Sequence, residues 1–294
     1  MMDQPGLKIT LTADLHWGIA RGMNANHAMV DYVLANPPDV FLLAGDIGHS
    51  HHFAECLGKF KQLDCIKALV PGNHDIWVTQ DDQRGTSWDL YSNILPKIAS
   101  EFGFHYLDKN PLHLDKHGLS IVGNMNWYDY SWSEQKILEN YPGEEARLLS
   151  KRFTRGQHND FNYVRWQHDD KSFTREIVEV FGQHLEQVRD KGYRSLVITH
   201  HPAIRPLSFP QLDHDTSLDA LLWEGLSGNA ALENLILGNK HFVSHVFCGH
   251  THRVRMEDWN GIRGYNIGSD YHFKRLLEMS WPDGEITARE FHGW

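Results

Sequence analysis

The feature that most constrains this chain is a set of short apolar runs, each stopping abruptly at a side chain able to bind metal. "LKITLTADLH" alternates through Leu7, Ile9 and Leu11 and then reaches Asp14 and His16. "PDVFLLAGDIGHS" is continuously apolar from Val40 to Ala44 and stops at Gly45-Asp46. "CIKALVPGNHD" passes from Leu69-Val70 through Pro71-Gly72 to Asn73, His74 and Asp75. "SLVITHHPA" ends at His200, and "HVFCGHTH" ends at His250 and His252. Runs this short and this rich in Val, Ile, Leu and Phe fit strands buried on both faces. Helical patterns separate them. "TREIVEVFGQHLEQVRDKG" puts Ile177, Val178, Phe181, Leu185 and Val188 on one face, with Gly192 as C-cap. A helix is also expected from Asn26 to Ala35, and a weaker one, bent or interrupted, near Pro96. Strands alternating with helices predict an α/β architecture. "LHLDKHGLSIVGN" and "NGIRGYNIGS" read as hairpin pieces of a more antiparallel layer.

Composition narrows the classes. A chain of 294 residues holds one large α/β domain or two small ones. Its net charge of −10 gives no general attraction to nucleic acid or anionic membranes. The first residues lack the pattern of a signal peptide, and no stretch reaches the length of a membrane span. Cys56, Cys65 and Cys248 have no C-x-x-C spacing, so buried thiols and a cytoplasmic location are expected. Residues 126–173 differ in texture, being rich in aromatics and mixed charge without a clear strand. They read as an inserted cap or lid on a single domain spanning 1–294. Trp127, Tyr128 and Arg165 within this segment can stack a base and hold phosphate. They can equally pack the insertion onto the core.

In an α/β sheet, groups at the carboxyl ends of neighbouring strands converge on one crevice. A mixed set of Asp, Asn and His donors suits Mn²⁺, iron or Zn²⁺ rather than Ca²⁺. The set exceeds what one ion needs, and the Asp46 carboxylate can bridge two ions. Two metals about 3.5–4 Å apart can clamp a phosphoryl group and activate a water. Any one of these residues alone reads as a turn former or an ordinary core histidine. Five strand ends delivering the same donor types make coincidence a poor account.

The ordered pattern Asp14-x-His16, Gly45-Asp46, Gly72-Asn73-His74-Asp75, His200 and Gly249-His250-Thr251-His252 resembles the calcineurin-like metallophosphoesterase superfamily. The resemblance implies a four-layer α/β/β/α sandwich with a two-metal centre between its sheets. It implies that Asp14, His16 and His252 hold one divalent ion, that Asn73, His200 and His250 hold the other, and that Asp46 bridges both. His74 would be a general acid or a donor to the phosphoryl oxygens, with Asp75 orienting it. "YNIGSD" resembles the superfamily's Asn-Pro-Gly-Ser turn with Ile267 in place of proline. His201 is expected to point away from the site if its strand continues. His49, His51 and His52 are expected at the cleft's edge or in solvent, and Arg21 within reach of a phosphate. The implied function is dinuclear-metal hydrolysis of a phosphoester by a metal-bridging hydroxide, with a phosphodiester of a small molecule or nucleotide as the favoured substrate. Alternatives are a phosphomonoesterase, a nuclease using the basic residues between Arg147 and Arg165, and a non-catalytic binding scaffold.

Overall fold

The computed structural model describes residues 6–80, 82–208 and 216–293. Among them, twelve strands make two six-stranded sheets. The strands are β1 (Leu7–Thr12), β2 (Val40–Ala44), β3 (Ile66–Val70), β4 (Phe104–Tyr106), β5 (Leu112–Leu114), β6 (Leu119–Asn124), β7 (Arg194–Thr199), β8 (Val243–Cys248), β9 (Arg255–Trp259), β10 (Ile262–Asn266), β11 (Phe273–Trp281) and β12 (Glu285–His292). One sheet has the order β12-β11-β1-β2-β3-β4, the other β5-β6-β7-β8-β10-β9. The runs β1-β2-β3-β4 and β6-β7-β8-β10 are parallel, so each group's carboxyl ends emerge on one side. This sandwich is the fold class expected from the sequence.

Side-chain alternation explains the layering. In β2, Val40, Leu42 and Ala44 join the core that also contains Leu196, Ile198 and Phe247 of the opposite sheet. Phe41 and Leu43 point the other way, into a cluster with Met29, Val33, Phe53 and Leu57 of the covering helices Met23–Ala35 and His52–Lys59. In β7, Val197 packs with Phe181, Leu185 and Val188 of the helix Asp170–Lys191. Sequence defines both ends of that helix. The Asp169 side chain accepts from Ser172 N at 2.7 Å, and Gly192 takes φ 68°, where a Cβ is disfavoured.

Three expectations are adjusted. The first crossover helix starts at Met23 rather than Asn26. The helix near Pro96 is interrupted upstream of the proline: Leu90–Ile94 form a widened turn, and Pro96 sits in the first turn of Leu95–Glu101. Proline has no N–H to give a carbonyl four residues back, so it is tolerated only where a helix restarts. Among the described residues the hairpin pieces do not form a separate antiparallel layer. The hairpins β5-β6 and β9-β10 form, but β6 and β10 pair in parallel with β7 and β8 inside one mixed sheet.

Residues 126–173 contain short helices (Glu134–Asn140, Ala146–Ser150, Asp160–Tyr163) and an isolated bridge, Arg152 to Gln157. Trp127, Tyr128 and Tyr130 are buried in the same cluster as Phe173, Leu221 and Leu226. The three cysteines are free thiols, two of them buried. No helix among the described residues is long and apolar enough to cross a membrane.

Asp108, just past β4, accepts from Tyr91 OH at 2.9 Å and Met125 N at 2.8 Å, and burial pushes its carboxyl up to about 7. In the unfolded chain the same carboxyl ionises near about 3.9. Between those values the unfolded state binds fewer protons, so this group makes stability fall as pH rises from about 4 to about 7 and leaves it level above. The variant Asp108→Asn lacks the titration. Denaturant unfolding should therefore show the wild type losing stability relative to the variant across this window, by on the order of 1.4 kcal/mol for each pH step of one. A wild-type-minus-variant difference that does not change with pH contradicts this.

Candidate metal centre

The polar residues that end the strands meet at one edge of the sandwich because the loops there extend the parallel pairing. Asp14 N donates to Gly45 O (3.0 Å), His16 N to Asp46 O (2.8 Å) and Gly249 N to His200 O (3.0 Å). Asp14, His16, Asp46, His250 and His252 all take left-handed backbone, with φ between 43° and 70°. Non-glycine residues occupy that region at a cost, typically of order 1–3 kcal/mol each, and they cluster where function needs a particular direction. Both carboxylates are pinned by a neighbouring loop: His250 N donates to Asp14 Oδ1 (3.0 Å), and His74 N to Asp46 Oδ1 (2.9 Å). The glycines of these motifs are required by close approach. A Cβ on Gly72 would lie 2.1 Å from Asp46 Oδ1, and one on Gly249 2.5 Å from Asp14 Oδ2.

Two groups of donors result. Ligand atoms of Asp14, His16, Asp46 and His252 lie within 4.8 Å of one another, as do those of His200, His201 and His250. Asp46 connects the groups, its Oδ1 being 3.3 Å from His200 Nε2 and its Oδ2 3.7 Å from His16 Nε2. Asn73 belongs to the second group, with Oδ1 3.0 Å from His200 Nε2.

The donor chemistry fits cations. His200 Nδ1 lies 3.0 Å from Ala44 O, an acceptor, so Nδ1 carries a proton and Nε2 is the nitrogen left to bind a cation, a proton or a metal ion. Nε2 faces two acceptors, Asn73 Oδ1 and Asp46 Oδ1. His16 Nε2 and His252 Nε2 lie 3.0 Å apart, a distance that requires a proton or another cation between them. Nitrogen and oxygen atoms that share space in this way need a cation between them, a proton or a metal ion. With no metal ion bound, a proton on His200 fills that place. Burial disfavours charge on His200, yet Asp46 outweighs it and pushes the ring up to about 9. Burial alone would raise Asp46, but the His200, His74 and His16 rings hold it well below the usual carboxylate range. Burial lowers His16, His250 and His252.

Other expectations divide. His74 lines the cleft beside the cluster, its ring stacked on Trp77 at 3.6 Å. Asp75 does not reach the His74 ring. Its carboxylate accepts from Gly48 N and Gly72 N, each at 2.8 Å, and so ties the β2 loop to the β3 loop. His201 does not point away: its ring lies 3.9 Å from that of His250. β7 ends at Thr199, so strand alternation no longer applies at 200 and 201. His201 Nδ1 lies 3.1 Å from Asn126 O, and its Nε2 is buried without a partner. Trp127 and Tyr128 are fully buried and offer no open face to a base. Their polar ends donate to Asp170 (2.8 Å) and Asp160 (2.9 Å). Arg165 is exposed, with its guanidinium on Asn162 O. Arg21 stacks over Tyr271, whose ring also stacks on His16 and meets the His252 ring edge-on. His51 and His52 sit beside Glu55 on the His52–Lys59 helix. Of the basic cluster, Arg147 pairs with Glu144 and Lys151 with Asp170. Ile267 donates N–H to Cys248 O at 2.8 Å, a bond that a proline there could not make.

The sequence reading missed Trp77, His158, Asp160 and Tyr271. A cleft of about 780 Å³ opens over the cluster. Next to His250 its wall runs through His158 to Trp223 and Phe153, and next to His16 it is Tyr271. Arg155 and Arg253 also line it.

A family model described as calcineurin-like phosphoesterase matches residues 7–254. No curated protein sequence matches the chain. Among solved structures, the phosphopantetheinyl hydrolase of Mycobacterium tuberculosis is similar, with 20% identity, 91% of each chain covered and a TM-score of 0.67. A dimetal phosphatase from Danio rerio shares 12% identity over 96% of this chain and 98% of its own, with a TM-score of 0.51. At these identities the likeness is one of fold.

Elemental analysis after dialysis tests the centre. The wild type should retain about two divalent ions per chain and Asp46→Ala essentially none. Gly72→Ala, which removes no donor, should also lower the content by crowding Asp46 Oδ1. A full metal complement in Asp46→Ala contradicts the arrangement.

Proposed function

The chain belongs to the calcineurin-like phosphoesterases and is a phosphoric ester hydrolase, and from that premise we propose that it is a dinuclear-metal phosphodiesterase acting on a small molecule or nucleotide. The observation that carries this reading is the set of possible metal-ligand atoms around Asp46. With His200 Nδ1 committed to Ala44 O, the His200 Nε2, Asn73 Oδ1 and Asp46 Oδ1 face one another. Asp14, His16 and His252 complete a second set about the same carboxylate. These residues would hold two divalent ions, with Asp46 shared. Ions in such a set supply Lewis acidity that offsets phosphoryl charge and lowers the pKa of water.

The protein's own groups supply the rest. Trp77 holds the His74 ring by stacking, and the His74 N–H is kept on Asp46, so the imidazole stays at the cleft wall. Burial lowers the His74 pKa, with Asp46 and Asp160 opposing. A bound phosphate adds negative charge and favours the protonated ring. His74 is therefore placed to hydrogen-bond a phosphoryl oxygen or to protonate the departing oxygen. Asp75 acts through the backbone: it fixes the loop that carries Asn73 and His74.

A diester needs room for a substituent on each side of phosphorus. The cleft extends past His250 toward Trp223 and Phe153, and past His16 toward Tyr271, which supports a diester over a monoester. Residues 126–173 act as a cap in this reading, since Phe153, Arg155 and His158 form part of the wall. The experiment is hydrolysis of bis- and mono-p-nitrophenyl phosphate, dinucleotides, cyclic nucleotides and a phosphopantetheinyl ester with Mn²⁺ added. Diesters should be cleaved faster than monoesters. Metal-loaded protein inert on every ester contradicts the proposal. In the same assays His74→Asn should keep its metals and lose about 10²–10⁴-fold in kcat on diesters with poor leaving groups, and less on p-nitrophenyl esters. Undiminished activity on poor leaving groups removes His74 from proton transfer.

A further inference from the structure

Asp160 opens the short helix Asp160–Tyr163 within the inserted segment and is almost completely buried. Its two oxygens have separate partners. Oδ1 accepts from Asn73 Nδ2 at 2.8 Å and from Trp77 Nε1 at 2.7 Å. Oδ2 accepts from Tyr128 OH at 2.9 Å and lies 3.3 Å from His158 Nδ1. The segment is tied to the same β3 loop by backbone bonds, Val78 N to Tyr163 O and Ser87 N to Arg165 O, both 2.9 Å.

A carboxamide has one donor end and one acceptor end, and rotation about its last bond exchanges them. An ionised carboxylate only accepts. Set against Asp160 Oδ1, the Asn73 side chain can present only Nδ2, which leaves Asn73 Oδ1 facing His200 Nε2 at 3.0 Å. The same oxygen anchors the indole on which His74 stacks. We propose that Asp160 is a positioning residue of the metal centre: one buried carboxylate oxygen from the insertion sets the direction of the Asn73 carbonyl toward the second ion and fixes the Trp77 platform under His74. The inserted segment is then a structural part of the centre as well as a wall of the cleft. The inference rests on Asn73 being a metal ligand.

Position and charge are separable. Asp160→Asn keeps a carbonyl oxygen for Asn73 and Trp77 and removes the charge, while its new N–H₂ can donate to His158 or Tyr128. Asp160→Glu keeps the charge and displaces it by one methylene. Purified proteins are stripped with chelator, checked for fold by circular dichroism, and titrated with Mn²⁺ by calorimetry. Asp160→Asn should bind both equivalents with wild-type affinity. Asp160→Glu should bind the second equivalent about 10–100-fold more weakly, the usual penalty for disturbing a group that orients a ligand. The reverse order, with Glu binding normally and Asn weakly, assigns Asp160 an electrostatic role and overturns the proposal, as does normal binding by both or weakened binding by both. Asn73→Ala, titrated alongside, separates the two levels. If it keeps both equivalents, the ligand assignment fails. If it loses one while both Asp160 variants bind normally, only the positioning role fails.

Discussion

The centre depends on one buried carboxylate held where only positive charge is comfortable. Asp46 is almost completely buried at the edge where the strands end, on the floor of the cleft, with imidazoles of His200, His16 and His74 around it and the His74 backbone N–H on one oxygen. Isolated buried carboxylates are expensive, and proteins keep them by pairing or by metal coordination. The surroundings follow from that. Gly72 has no side chain because Asp46 occupies its space, and five of the donor residues take left-handed backbone. The parallel strands matter because they deliver β1, β2, β3, β7 and β8 to this edge with their carboxyl ends together.

Much of this was legible in the sequence, because the information was local. A buried strand followed at once by Asp, Asn or His is visible within ten residues, and Asp14, His16, Asp46, Asn73, His200, His250 and His252 do come together. Side-chain partnerships were less legible. The family resemblance implied that Asp75 serves the His74 ring, but its carboxylate accepts from the backbone N–H groups of Gly48 and Gly72. His201 was read by strand alternation, which stopped two residues earlier. Asp160 lies 87 residues from Asn73, and nothing near it in the chain marks it as more than a helix-starting Asp.

The segment 126–173 shows the same limit in a different form. Its many aromatics were compatible with base stacking or with packing, and composition has no means of choosing. Burial does choose: Trp127, Tyr128 and Tyr130 are interior, while Phe153, Arg155 and His158 reach the cleft. Packing and site-building are linked here, since Tyr128 in the core and Asn73 in the centre share the Asp160 carboxylate.

The most direct measurement is an anomalous-scattering map of crystals grown with Mn²⁺. The account predicts two peaks separated by about 3.5–4 Å, one among Asp14, His16 and His252, the other among Asn73, His200 and His250, with Asp46 touching both. A single peak, or a second peak held by His201 with Asn73 turned away, would contradict it.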